Sequence, residues 1–117
     1  MSPVDWWLVK NLFGGIPSSR PDELVETLLE TGAFRLERIV SIGHATPPGE
    51  WYDQERDEWV IVLSGRAGLR FADRDDVVEM RPGNHLVIPA HLRHRVEWTE
   101  LGQPTVWLAL HYRARKD

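Results

Sequence analysis

Two ionisable residues open stretches that continue as strand-like, largely apolar segments. In EWVIVLSG, residues 58–65, the alternation of a strand puts Glu58, Val60 and Val62 on one face and Trp59, Ile61 and Leu63 on the other. In HRVEWT the same alternation groups His94, Val96 and Trp98 against Arg95, Glu97 and Thr99, whose charges mark the solvent side. If the face with Glu58 is the inner one, a carboxylate and an imidazole point into one interior from two strands. Each then needs a partner, since a buried group left alone costs on the order of several kcal/mol. Two arrangements supply one. The pair can hydrogen-bond directly, or both can bind one divalent cation that neutralises the acid and uses the lone pair of a neutral imidazole.

The elements that must position these residues are short strands. From residue 33 onward, turn residues recur every eight to twelve positions, the pattern of a sandwich or barrel. FRLERIVSI, EWVIVLSG, AGLRFAD, VVEMR, HLVIPA, HRVEWT and PTVWLALHY read as strands, separated by TPPGE, DRDD, RPGN and LGQP. Upstream, SSRPDELVETLLETG predicts a helix over about residues 19–31. Ser19 is its N-cap, Pro21, Asp22 and Glu23 form its first turn, Gly32 is its stop, and Leu24, Val25, Leu28 and Leu29 form its apolar stripe. The expected organisation is all-β: one domain over 1–117, with an N-terminal extension over 1–35 and a barrel over 36–112.

Composition narrows the function. The 117 residues are 42% hydrophobic and 27% charged, and no apolar run approaches the roughly 18 residues of a membrane span. The start, MSPVDWWLVKN, has no signal-peptide pattern, so a cytoplasmic location is expected. With no cysteine, thiolate metal sites and cysteine nucleophiles are excluded. A formal charge of −4 argues against nucleic-acid binding, and RARK, residues 113–116, reads as a solvated tail. Trp51, Trp59, Trp98 and Trp107 lie in or beside strands, where packing is their first expected role and ligand stacking the second.

The residues from Gly83 to Trp98, GNHLVIPAHLRHRVEW, resemble the second motif of the cupins, G-x5-P-x-G-x2-H-x3-N. Gly83, Pro89 and His94 fall on the family's glycine, proline and metal-binding histidine, while His91 stands on a glycine and Trp98 on the final asparagine. Glu58 to Gly65 matches the E-x6-G that closes the first motif, with Glu58 on the metal-binding glutamate. The family's H-x-H four or five residues earlier is missing, for no histidine lies between His44 and His85. The shorter spacing puts Tyr52 and Gln54 on those positions, the longer one Trp51 and Asp53. Tyr52 and Gln54 are the preferred pair, as oxygen donors on one strand face.

The resemblance implies a jelly-roll, double-stranded β-helix barrel with a short N-terminal helical segment, paired as a homodimer through edge strands. It also implies a divalent metal ion (Zn, Fe, Mn or Ni) held by Glu58, His94, Gln54 and Tyr52. The metal would act on a small anionic or carbonyl-bearing molecule as a Lewis acid or oxygen-activating centre, with no reaction assigned. His44, Asp53, His91, Trp107 and His111 are further pocket residues or alternative ligands, and His85 is expected at an exposed turn. The alternative is a non-catalytic, metal-free module for a ligand or protein, in which Glu58 and His94 pair with each other.

Overall fold

All seven expected strand segments form strands in the computed structural model, which describes residues 6–113. RARK lies largely outside the described residues. In chain order the strands are β1 (Leu24–Glu30), β2 (Phe34–Ser41), β3 (Asp57–Ser64), β4 (Ala67–Phe71), β5 (Val77–Met80), β6 (His85–Ile88), β7 (His94–Thr99) and β8 (Thr105–Tyr112). No helix forms among the described residues, so none is long and apolar enough to cross a membrane.

β1 corrects the expected helix over 19–31. Leu24 to Glu30 is extended and pairs antiparallel with β2, from Leu24 opposite Val40 to Glu30 opposite Arg35, with a register shift between Thr27 and Leu29. A helix of that length is marginal without tertiary support, whereas the edge of β2 offers a ladder of backbone partners. The register also puts Val25 opposite Ile39, both on the cavity wall, and lets Arg38 meet Glu26 in an ion pair. The Arg38 guanidinium further donates to the carbonyls of Leu12 (2.9 Å) and Gly14 (2.7 Å), tying the N-terminal segment to the back of the sheet.

The strands form two sheets, a five-stranded one in the order β1-β2-β8-β3-β6 and a three-stranded one in the order β5-β4-β7. Val60, Val62, Ile88 and Trp107 from the first sheet meet Ala67, Leu69, Phe71 and Met80 from the second to form the core. Gly65 closes the turn after β3 at φ 81°. A Cβ there would come within 2.6 Å of the Thr105 backbone, so both conformation and space require glycine. This turn fixes the run of β3 across β8, and with it the depth at which Glu58 enters the interior.

Candidate ligand pocket

A cavity of about 150 Å³ opens between the two sheets at the end where β3 and β7 begin. Its apolar wall is Val25, Ile39, Val60, Leu69, Ile88 and Val96, with the indole of Trp107 among them. Its polar groups are Glu23, Glu37, Tyr52, Gln54, Glu58, His94 and His111. Alternation explains most of this set. Glu58 and Val60 share the inner face of β3, Trp107 and His111 that of β8, Glu37 and Ile39 that of β2, and His94 and Val96 line the wall from β7.

Glu58 and His94 are 8% and 5% exposed, and His94 Nε2 stands 3.7 Å from Glu58 Oε1. That is an ion-pair distance, too long for a hydrogen bond. The other ring nitrogen, Nδ1–H, donates to the Leu92 carbonyl at 2.9 Å, so Nε2 is the atom turned to Glu58. Burial works against the imidazolium, yet the Glu58 carboxylate and the Leu92 carbonyl outweigh it and hold His94 above its ordinary 6.5. A second couple lies beside the first. His111, opposite Glu58 in the β3–β8 register, donates Nε2–H to Glu37 Oε1 at 2.8 Å.

Tyr52 and Gln54 reach the cavity because their segment is stitched to the turn before β7. The Tyr52 N–H donates to the His94 carbonyl (2.8 Å), the His94 N–H to the Tyr52 carbonyl (3.1 Å), and the His91 N–H to the Gln54 carbonyl (2.8 Å). Asp57 adds a bond from the Ala90 N–H at 2.7 Å. Burial first, then the charge of Glu23, pushes the Tyr52 phenol above 10.0, so it stays protonated.

The other positions considered from the sequence lie elsewhere. Asp53 accepts from His91 Nδ1–H at 2.9 Å on the exposed rim, and His91 holds φ 66°, the left-handed backbone that the motif's glycine takes freely. Trp51 lies under the guanidinium groups of Arg93 and Arg95, with no part in lining the cavity. His44 accepts from the Ile42 N–H and donates to the Arg20 carbonyl, both at 2.9 Å, so both of its nitrogens are taken. His85 is exposed and accepts the Trp59 indole N–H at 3.1 Å. Sequence reasoning passed over two acids of the cavity. Glu37 shares the alternation of Ile39 and was open to the same argument that found Glu58, whereas Glu23 was hidden by its place in the expected helix.

The family model for the cupin domain matches residues 39–111, well over half of the chain. This chain belongs to the cupin family. Its jelly-roll barrel is similar to several solved cupin structures. A Ralstonia eutropha JMP134 protein described as a "putative mannose-6-phosphate isomerase" is 50% identical, with a TM-score of 0.88 over 92% of this chain and 99% of that one. An RmlC-like cupin with a double-stranded β-helix fold from Methanocaldococcus jannaschii is 15% identical, with a TM-score of 0.65 over 83% of this chain and 85% of that one. The polyketide cyclase RemF from Streptomyces resistomycificus is 24% identical, with a TM-score of 0.67 over 83% of this chain and 69% of that one. The last two share the fold at identities that carry nothing further. No curated protein matches the chain.

The metal that the cupin resemblance implies needs a donor set, and the residues present make a poor one. Among the described residues, no three His, Cys, Asp or Glu side chains gather where they could hold one ion. Beyond Glu58 and His94, Glu37 and His111 are closed on each other and Glu23 is held by Ser41, so what remains is the amide of Gln54 and a phenol that burial and nearby carboxylates keep protonated. An amide and a neutral phenol are weak replacements for two imidazoles. This set does not fit a permanently held cation.

Proposed function

We propose that this cupin binds a small organic molecule directly through Glu58 and His94, without a resident metal ion. One observation carries the reading: the two groups line the same cavity 3.7 Å apart, buried, yet not hydrogen-bonded to each other. A ligand hydroxyl or N–H that reaches both donates to the carboxylate and, as a hydroxyl, accepts from the imidazolium. The same couple has the make-up of a general acid and base, one group able to take a proton and the other to give one. The isomerase name carried by the Ralstonia relative supports proton-moving chemistry. The phosphate in that name finds no Lys or Arg in the cavity lining among the described residues. The same lack argues against the anionic ligand expected from the sequence.

The competing reading is favoured by the same gap. A cation lying between Glu58 and His94, completed by Gln54 and Tyr52, would also explain why the pair does not close. Elemental analysis of protein purified without tag or chelator, beside Glu58→Gln and His94→Asn, separates the two. The expected result is metal-free protein that takes up no stoichiometric Zn, Mn, Ni or Fe on dialysis against each. A near-stoichiometric metal lost from both variants would overturn the proposal.

A further inference from the structure

The cavity carries more negative than positive charge, and one carboxylate at its edge is held by a built network. Glu23 lies just before β1, and its Oε2 accepts the hydroxyl of Ser41 at 3.0 Å. Ser41, 1% exposed, accepts in turn the indole N–H of Trp107 at 3.2 Å. The chain Trp107–Ser41–Glu23 thus orients an acid beside an aromatic wall, across two strands and the segment that leads into a third.

Among the described residues, the lining groups are three carboxylates, Glu23, Glu37 and Glu58, and two imidazoles, with no Lys or Arg. Glu37 is engaged by His111 and by the Arg35 guanidinium, whose Nε lies 3.2 Å from its Oε2, which leaves Glu23 and Glu58 facing the single imidazole of His94. Glu58 is independently informative, because it is buried and lines the cavity while the nearest donor it faces, His94 Nε2, stops 3.7 Å away. A buried carboxylate whose ion-pair partner stays beyond hydrogen-bond reach is open to a donor brought by a ligand. The walls are apolar, and the Trp107 indole offers a face on which a cation can rest.

We infer that the ligand of this pocket is a small organic cation, an amine or guanidinium on a compact apolar body, with Glu23 as its counter-ion. The inference rests on the small-molecule reading above and names the chemical class of the ligand. Its cationic head donates hydrogen bonds to Glu23 and Glu58, and its apolar body fills the space between Val25, Ile39 and Val96. Phosphorylated and carboxylate ligands are rejected, because among the described residues the cavity lining has no Lys or Arg to pair with them and has two acids, Glu23 and Glu58, that repel them.

The test uses three probes of one shape and different charge, benzylamine, benzyl alcohol and benzoate, together with mannose 6-phosphate. Binding to the full chain is followed by the shift of the Trp107 indole N–H signal in heteronuclear NMR and by calorimetry at low and high salt. Benzylamine is expected to bind at least about tenfold more tightly than benzyl alcohol, a difference of about 1.4 kcal/mol, and to weaken with salt. Benzoate and mannose 6-phosphate are expected to leave the indole signal unmoved. Glu23→Gln keeps an acceptor for Ser41 and is expected to erase the preference for the amine while leaving the alcohol unchanged. Equal or tighter binding of the alcohol or either anion, or an unchanged amine preference in Glu23→Gln, overturns the cation assignment and leaves the pocket reading standing. A Trp107 signal that no probe moves removes both.

Discussion

Two Glu–His couples share one cavity and differ in how the fold fixes their separation. Glu37 and His111 stand on β2 and β8, neighbours in the five-stranded sheet, and their side chains close to a hydrogen bond of 2.8 Å. Glu58 and His94 stand on β3 and β7, which belong to different sheets, and they remain 3.7 Å apart. Neighbouring strands are spaced by the backbone ladder, about 4.8 Å apart, so side chains on one face meet readily. Facing sheets are spaced about 10 Å apart by whatever packs between them, and a short pair across that space meets only if the core lets it. The couple within the sheet is therefore satisfied by the fold, and the couple between sheets stays open at 3.7 Å.

The largest effect expected from this contrast is on the closed couple. His111→Ala takes from the half-buried Glu37 its hydrogen-bond donor, leaving only the Arg35 ion pair and a void, and should cost about 2–4 kcal/mol in urea unfolding. Glu58→Gln on the open couple should change stability by less than about 1 kcal/mol at neutral pH, because it removes a buried charge whose partner, His94 Nε2, stays 3.7 Å away, beyond hydrogen-bond reach. Equal losses from the two variants would erase the distinction between the couples.

The pH dependence gives a finer reading of the open couple. His94 titrates above its ordinary 6.5 in the folded state, so the pair's contribution is complete below pH 6.5 and is lost as pH rises through the folded-state value. In a proton NMR titration the His94 ring should show a midpoint above 6.5, and Glu58→Gln should lower it. A midpoint that does not move in the variant would mean that the carboxylate across the gap has no hold on the imidazole. The smallest effect belongs to the rim, which both couples lie beneath. His91→Gly relieves a left-handed backbone at φ 66° but gives up the exposed bond to Asp53, and the two should cancel to within about 1 kcal/mol in thermal unfolding.

Strand alternation and turn chemistry made β2 to β8 readable, since each of those segments carries its period and its flanking Gly, Pro or Asp. The inward side of His94 followed from the same alternation, whereas Glu58 was inward only if its face of β3 was the inner one, and Trp107 and His111 were placed on one face of β8 without a decision on which face is inner. β1 was not readable, because DELVETLLE satisfies helix rules for cap, first turn and stripe better than it satisfies strand rules. What decided its state was the edge of β2, which follows after three residues and pairs with it as a hairpin, a partner that cap and stripe rules applied to one segment do not weigh. That one misreading also hid Glu23, whose approach to Ser41 exists only when the chain leading into β1 is extended. The Glu58–His94 gap was out of reach for a different reason. Sequence spacing fixes which face a residue takes, while the distance between faces depends on how the core fills.

β1 has hydrogen-bonded company on one side only, whereas β8 is paired on both. An outer strand opens at lower cost than an inner one, so its amides should trade hydrogen for deuterium well before those of β8. The wall that bears Val25, with Glu23 at its threshold, is thus also an edge of the barrel that frays before its centre. A guest tied to Glu23 fastens that margin, and slowed deuterium uptake along Leu24–Glu30 becomes a sign of occupancy that requires no knowledge of what the guest becomes.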